Sequence, residues 1–368
     1  MRGFDHRLRS IIGRGVCGAF ENLFRSCNEL RALAYNPCAV GETGGAAMIR
    51  PEDVAAARRR LQGVTLKTPL IPCPGGDRAR SLFFKPESLQ PSGAFKLRGA
   101  YNKISSLSDE ERARGVVAHS SGNHARAVAY AARALGVKAT VVMPREAAKG
   151  KLDSTAALGP ELILVGPDSG ERARKAEELA AEHGYVPVPP YDDEVLIAGQ
   201  GTVGAEILED LPDVETVLVP VSGGGLISGV AAAIKQTSPG VKVIGVEPEL
   251  AADARESLRS GRLVEFPAER VGRTVADGLR VRKLGDAPFE HVLRYVDDIV
   301  AVTEEEILDA MRRLALRVRL VAEPSGAVTF AAHLFHRHEL PDTRLNVAVV
   351  SGGNVEPDLL AKVLAGGP

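Results

Sequence analysis

The sequence predicts an α/β protein of two domains, each a mostly parallel twisted sheet flanked by helices, and three observations lead there. The first is alternation. From residue 115 onward short β-branched runs precede helical stretches: GVVAHSSGNH leads into ARAVAYAARALG, KATVVMP into EAAKGKLDSTAALG, and ELILVG into SGERARKAEELAAEHG. TVLVPVSGGG then precedes LISGVAAAIKQ, KVIGVEP precedes another helix, and NVAVVSGGN lies near the C-terminus. Such spacing is the signature of βαβ units and of a parallel sheet covered on both faces. The second is length, since 368 residues at roughly 150 per domain give about two. The third is continuity: no repeat, low-complexity tract or Pro-rich linker interrupts 48–368, so a chain that leaves one sheet, builds a second and returns is the arrangement implied.

Composition narrows the function. Lys+Arg 46 against Asp+Glu 47 gives a formal net charge of −1, without the concentrated positive charge that nucleic acids or membrane surfaces require. No run of about 18 apolar residues occurs, so no transmembrane helix is expected. Residues 1–47 stand apart, with six Arg, no Lys, four acidic residues and no sustained periodicity. IIGRGVCGAF is broken by Arg14 and glycines, unlike a secretory h-region, and Asp5, Glu21, Glu29 and Glu42 fit an organellar presequence only partly. We expect 1–47 to be a disordered extension or an upstream mis-assigned start. Cys17, Cys27 and Cys38 fall in it, leaving Cys73 alone in the body, so neither a disulfide framework nor thiol chemistry is expected in the function. At Met48 the character changes. MIRPEDVAAARRRL reads as a helix with Pro51 in its first turn, Glu52 and Asp53 at its positive end, and Val54, Ala57 and Leu61 on one face.

Three predicted strands end alike. VVAH, VLVPV and VAVV run into Ser120-Ser121-Gly122-Asn123, Ser222-Gly223-Gly224-Gly225 and Ser351-Gly352-Gly353-Asn354. Ligands of open α/β sheets sit beyond the carboxyl ends of strands, so one ligand touching all three turns is expected. Glycine lets the backbone approach an anion, and the N–H groups of a following helix supply donors and the positive end of its dipole. Ser222 to Gly225 ahead of LISGVAAAIKQ is the best phosphate cradle on these grounds, although any single Gly-rich turn fits ordinary strand-to-helix geometry equally well. A nicotinamide reading competes here, because Gly223-x-Gly225 with Glu247 about 20 residues on imitates a dinucleotide fingerprint. Its third glycine falls at Ser228, and Gly229 comes one place late, which weakens it.

Lysine is scarce, 12 residues against 34 Arg. Lys96, in PSGAFKLRGAYNKI between Phe95 and Leu97, therefore stands out, since apolar surroundings desolvate an amine and lower its pKa toward nucleophilic use. A lysine snorkelling from a helix fits the same context, and the residues alone leave both open.

Five segments in order, KPESLQPSGAFKLRGA (85–100), HSSGNH (119–124), IAGQGT (197–202), PVSGGGLISG (220–229) and SGGN (351–354), closely resemble the serine racemase and threonine dehydratase group of fold type II pyridoxal phosphate enzymes. The resemblance spans about 50–365 and leaves 1–47 unexplained. With that architecture a large cofactor-binding domain takes 48–114 and 192–368, and a small domain takes 115–191. The resemblance implies pyridoxal phosphate as cofactor, with Lys96 bonding its aldehyde, Phe95 beside its ring and Asn123 hydrogen-bonding its 3-oxygen. Gly223, Gly224, Gly225 and Leu226 then bind the phosphate through backbone N–H groups. Ser351 faces the pyridine nitrogen, and a hydroxyl there makes a weaker electron sink than a carboxylate would, favouring prompt loss of a β-leaving group. Ser120, Ser121, Gly122, Asn123 and His124 hold the substrate carboxylate. Lys96 takes the Cα proton, the β-hydroxyl leaves as water, and the products are a 2-oxo acid and ammonia: pyruvate from serine, 2-oxobutanoate from threonine.

Ser121 is the second catalytic candidate. Serine at this position marks serine racemases and hydroxyaspartate dehydratases of the group, and a hydroxyl opposite Lys96 suits two-base proton transfer. A serine that merely caps the helix is the competing account. GVEPELAAD matches the group's divalent-cation site, with Glu247, the carbonyl of Ala251 and Asp253 as oxygen ligands for Mg²⁺ or Ca²⁺. Without the resemblance, an acidic residue after a strand and a helix-capping aspartate explain the same residues. Two departures stand out: Ala94 replaces a frequent serine, and Arg126 replaces the usual glutamine, where it either adds charge near an acidic substrate or is solvated. Tyr191 lies where aromatic residues are common. The expectation is a cytoplasmic homodimeric lyase acting on threonine and serine, small amino acids, with no nucleic-acid or membrane partner. The alternatives are serine racemase, 3-hydroxyaspartate dehydratase and, at further remove, an NAD-dependent oxidoreductase or a silent amino-acid sensor.

Overall fold

The computed structural model describes residues 48–75 and 77–366. The readings of 1–47, with Cys17, Cys27 and Cys38, lie outside the described residues. The first helix, α1 (Pro51–Leu61), starts where the capping signals put it: Pro51 stands in the first turn, and Arg50 N–H donates to Asp53 Oδ2 at 2.8 Å. Val54, Ala57 and Leu61 are its buried face.

Next come β1 (Ile71–Pro72), β2 (Ser81–Pro86) and α2 (Lys96–Ser105). The chain then builds β3 (Val116–His119), α3 (Asn123–Leu135), β4 (Ala139–Pro144), α4 (Lys149–Ala156), β5 (Glu161–Val165), α5 (Ser169–His183) and β6 (Val186–Pro187). It continues with α6 (Glu194–Asp210), β7 (Thr216–Pro220), α7 (Gly225–Thr237), β8 (Lys242–Pro248), α8 (Asp253–Ser260), α9 (Asp286–Tyr295) and β9 (Asp298–Val302). The last elements are α10 (Glu304–Arg313), α11 (Pro324–Phe335), β10 (Leu345–Val350) and α12 (Pro357–Ala365).

Two sheets result. One has the order β1-β2-β10-β7-β8-β9, parallel throughout except for β1, and the other is the all-parallel β5-β4-β3-β6. Strand alternation delivers side chains to both faces of the first sheet. Val217 and Val219 of β7 pack with Val230 and Ile234 of α7, while Leu218 between them packs with Ala327 and Val328 of α11. In the second sheet Val116 and Ala118 join Leu97 and Val128, and Val117 joins Ala176 and Leu179 on the other side. Among the described residues no helix is long and apolar enough to cross a membrane.

The close α6–α7 contact, at and just beyond the IAGQGT motif, accounts for glycines in both helices. Glycine weakens a helix, yet Gly204 and Gly229 sit within these two because the backbones meet there. A Cβ on Gly229 would lie 2.3 Å from the Ile197 carbonyl oxygen, and one on Gly204 would lie 2.7 Å from that of Val230.

Behind Lys96 lies a buried ionic cluster. Arg98 of α2 grips Glu87 bidentately, Nε to Oε2 at 2.7 Å and Nη2 to Oε1 at 2.9 Å. It also donates to both oxygens of Glu206 on α6, at 2.6 and 2.8 Å. Lys85 Nζ completes the set, 2.6 Å from Glu206 Oε2 and 2.7 Å from the Thr68 carbonyl. Lys85, Glu87 and Arg98 have no exposed surface. Burial pushes the Glu87 carboxyl up, but the Arg98 guanidinium outweighs it and holds it below the usual carboxylate range. Arg98→Met leaves two buried carboxylates facing one lysine, so we expect it to cost about 3–5 kcal/mol. Urea unfolding measures this, and a loss under about 1 kcal/mol would show the cluster to be dispensable.

Candidate active site

The turns after β3, β7 and β10 converge, as their positions at strand carboxyl ends require, on a cavity of about 360 Å³. That size suits a small-molecule site. Lys96, the first residue of α2, opens into it from the side. Its loop is pinned to the β10 turn: Phe95 N–H donates to the Ser351 carbonyl at 3.0 Å, and Gly353 N–H to the Gly93 carbonyl at 2.9 Å. The Lys96 residue keeps some exposed area, but its amine is enclosed, and burial lowers its pKa to about 8. Nζ donates to the Pro190 carbonyl at 2.5 Å and stands 5.1 Å from the centre of the Phe95 ring. The amine is thus a nucleophile within reach of neutral pH rather than a snorkelling cation.

The β7 turn presents bare backbone. Gly224, the N-cap of α7, takes φ +91°, a left-handed conformation that favours glycine. A Cβ on Gly223 would lie 2.3 Å from Tyr191 Cδ1. The first N–H groups of a helix have no partner within it, and they carry the positive end of the dipole. Gly223, Gly224, Gly225 and Leu226 therefore fit a phosphate held against Tyr191. Burial pushes the Tyr191 hydroxyl up to about 12, so that wall is neutral.

The β3 turn is equally open. Gly122 is the N-cap of α3 and no side chain caps it, so Ser121 has no capping role; Ser120 Oγ instead accepts from Gly122 N–H at 3.2 Å. Ser121 is exposed and lines the cavity. His124 is buried, its Nε2 bonded to the Val188 carbonyl at 2.8 Å, and burial drops its pKa to about 3. Its imidazole is a neutral anchor for the turn. Asn123 donates from Nδ2 to Glu323 Oε1 at 2.6 Å, and Ser351 Oγ donates to the Ser325 carbonyl at 3.3 Å.

Several cavity residues escaped sequence reasoning. Glu323 is 4% exposed, and burial, reinforced by the Asp277 charge, pushes its carboxyl up to about 8. Lys151 of α4 pairs with Asp277 at the cavity wall. Arg172 also lines it, with a buried Nε that has no partner. Glu323 precedes Pro324 and reads in sequence as an ordinary helix start. Arg126 is half-buried and does not line the cavity: its Nη1 donates to Asn354 Oδ1 at 2.9 Å.

Glu247, Ala251 and Asp253 also come together, at the end of β8 and the start of α8. All three are buried. Asp253 does not cap α8; the N–H groups of Ala254 and Arg255 go to Glu247, at 3.2 and 2.9 Å. Asp253 Oδ2 is buried without a partner. Burial and the Asp253 charge push Glu247 well above the carboxylate range, and burial alone raises Asp253 to about 7. Two adjoining buried carboxylates, one with an orphaned oxygen, fit a hard cation.

An enclosed lysine facing a bare anion cradle across two mostly parallel sheets defines an enzyme site for a phosphorylated carbonyl cofactor. The chain belongs to the family described as "Pyridoxal-phosphate dependent enzyme", whose model matches residues 61–352. It is 47% identical over 325 residues to L-threonine ammonia-lyase of Thermotoga maritima, covering 86% of this chain and 78% of that one. It is 41% identical to L-threo-3-hydroxyaspartate ammonia-lyase of Saccharomyces cerevisiae, covering 85% and 96%. Maize serine racemase has a similar structure, with TM-score 0.82, 36% identity and coverage of 87% and 98%. The nicotinamide reading of the Gly223 turn is set aside by the family match.

A lowered amine pKa has a measurable sign. The Lys96 ammonium dominates below pH 8 and the free amine above it, so roughly one tenth is neutral at pH 7. Acylation of the cofactor-free protein by an amine reagent should therefore modify Lys96 first and titrate near pH 8, as followed by peptide mass spectrometry. A Lys96 that titrates near 10.5 with the surface lysines would refute the enclosure.

Proposed function

We propose that this enzyme dehydrates and deaminates small β-hydroxy amino acids, L-threonine and L-serine, to a 2-oxo acid and ammonia. The reading is carried by the 47% identity to L-threonine ammonia-lyase across a cavity that offers an amine of lowered pKa. Lys96 holds the cofactor aldehyde, Gly223 to Leu226 its phosphate, Phe95 its ring face, Asn123 its 3-oxygen and Ser351 its pyridine nitrogen. When bound, pyridoxal phosphate supplies an electron sink conjugated to the substrate nitrogen.

The protein's own groups do the rest. The N–H groups of Ser120 to His124, ahead of α3, bind the substrate carboxylate, and the dipole of α3 favours that charge. This would fix Cα toward Lys96, whose amine, once the substrate nitrogen has replaced it on the cofactor, would be basic enough to take the Cα proton and weak enough to give it up near neutral pH. That proton, delivered to the β-hydroxyl, would let it leave as water. In this reading 115–191 is the small domain, and 48–114 with 192–368 the large one, so carboxylate and phosphate are held from opposite sides.

A second reading, serine racemase activity, rests on Ser121, a cavity hydroxyl with no capping duty. As the second proton donor it would reach Cα from the side away from Lys96. We also assign Mg²⁺ or Ca²⁺ to Glu247, the Ala251 carbonyl and Asp253, where a cation would let both buried carboxyls ionise at the start of α8.

Borohydride reduction of the loaded enzyme should leave the phosphopyridoxyl label on Lys96. L-threonine and L-serine should give oxo acid in a panel with D-serine and the 3-hydroxyaspartates. A label elsewhere sinks the assignment, and D-serine formed from L-serine supports the second reading. For the cation, chelation should lower the melting temperature by several degrees and added Mg²⁺ or Ca²⁺ restore it. Asp253→Asn should abolish the restoration, and an unchanged melt on chelation removes the cation from the account.

A further inference from the structure

A chain of hydrogen bonds crosses from the helix of one sheet to the turn of the other and ends in the cavity. Arg126 Nη1 donates to Asn354 Oδ1 at 2.9 Å. Asn354 Nδ2 donates to Asn123 Oδ1 at 2.8 Å, and Asn123 Nδ2 donates to Glu323 Oε1 at 2.6 Å. Asn354 Nδ2 also donates to the Ser92 carbonyl at 3.0 Å. Arg126 and Asn123 share α3, whereas Asn354 follows β10 and Glu323 precedes α11.

Every arrow points the same way, and the chemistry of the ends explains why. A guanidinium has five donors and no acceptor, a backbone carbonyl accepts only, and an amide has one end of each kind. With Arg126 on one side and the Ser92 carbonyl on the other, the Asn354 amide has a single satisfied orientation. Its packing leaves little freedom, because a Cβ on Gly93 would lie 2.2 Å from Asn354 Oδ1. The Asn354 amino group then requires the oxygen of Asn123, which turns the Asn123 amino group toward Glu323 and the cavity. Glutamine at 126 could offer either end; arginine removes that choice.

We infer that Arg126 is a positioning residue: acting through Asn354, it fixes the Asn123 amide so that a donor, not an acceptor, meets the cofactor's 3-oxygen. This rests on the cofactor assignment proposed above. A donor held against an oxyanion lowers its proton affinity, so the relay sets the pH at which the bound chromophore titrates. It also exists only while both sheets stand in register, which ties the electronics of the cofactor to the disposition of the two layers.

The test is a pH titration of the visible absorption of the cofactor-loaded enzyme. Arg126→Lys keeps a donor-only group and should titrate as the wild type does. Arg126→Met removes it, and Asn354→Asp replaces the donating amide with acceptors, drawing the Asn123 amino group away. Both should titrate about one pH unit higher, the scale of one hydrogen bond, with cofactor retained on gel filtration. Unmoved titration in Arg126→Met overturns the relay even if Asn354→Asp does not fold. A lowered melting temperature with unmoved titration also overturns it, leaving Arg126 as a tie between layers. A wild type lacking any absorption that Lys96→Ala removes would instead overturn the cofactor assignment, and the relay with it.

Discussion

The arrangement depends on four charged side chains that share one dry pocket. Lys85, Glu87, Arg98 and Glu206 come from β2, the turn after it, α2 and α6, and together they carry no net charge. A cluster of this kind does not outdo a well-packed apolar set of the same shape. What it does is penalise every packing in which one partner is missing, since an unpaired charge in a low-dielectric interior is costly. Only one register of α2 against β2 and α6 satisfies all four. Lys96 lies two residues before Arg98, so the direction in which its amine leaves α2 is set from behind.

The cavity continues that logic with the opposite sign. Around Lys96 the structure withholds partners: its amine has a backbone carbonyl for company, His124 is kept neutral, and the Tyr191 wall is neutral. An amine in such surroundings loses its proton readily. The anion cradles are made of backbone, so they carry partial charge without a mobile counter-ion. Glu323 adds a carboxyl held protonated into the neutral range by burial and met by the Asn123 amide.

Much of this was legible in the residues. β-branched runs followed by Ser- and Gly-rich turns marked β3, β7 and β10, and the capping signals around Pro51 marked α1. β2 was not legible, because SLFFKP lacks the strand-turn-helix grammar of the others, whereas DIVAV runs through the capping Thr303 into α10 but has no Ser- and Gly-rich turn to mark it. β2 gains its place through pairing with the short β1 and, along its whole length, with β10, some 260 residues later. In the site, Lys96 was visible through its apolar flanks and the glycine cradle through its spacing. Glu323 and Lys151 were not, and of Asn354 only its place in the third turn was, because their roles come from residues far away in the chain. Arg126 was noticed as unusual, but the residue it addresses, 228 positions on, is a fact of the fold. At Asp253 the helix cap that sequence logic offered belongs to Glu247.

The pairing of β3 with β6 carries a consequence for the protein's history. Val116 lies opposite Val186, so the stretch that builds the four-stranded sheet begins and ends on neighbouring strands, about 5 Å apart. A segment whose two ends leave side by side is insertable. It can be gained, lost or exchanged as one uninterrupted run of coding sequence without re-pairing any strand of the six-stranded sheet. The turn after β3, which we propose for the substrate carboxylate, travels with that cassette, while Lys96 and the glycine cradle stay behind. The proposed carboxylate site is thereby written in a different part of the gene from the lysine and the phosphate cradle, while Asn123, inside the cassette, keeps the two parts coupled.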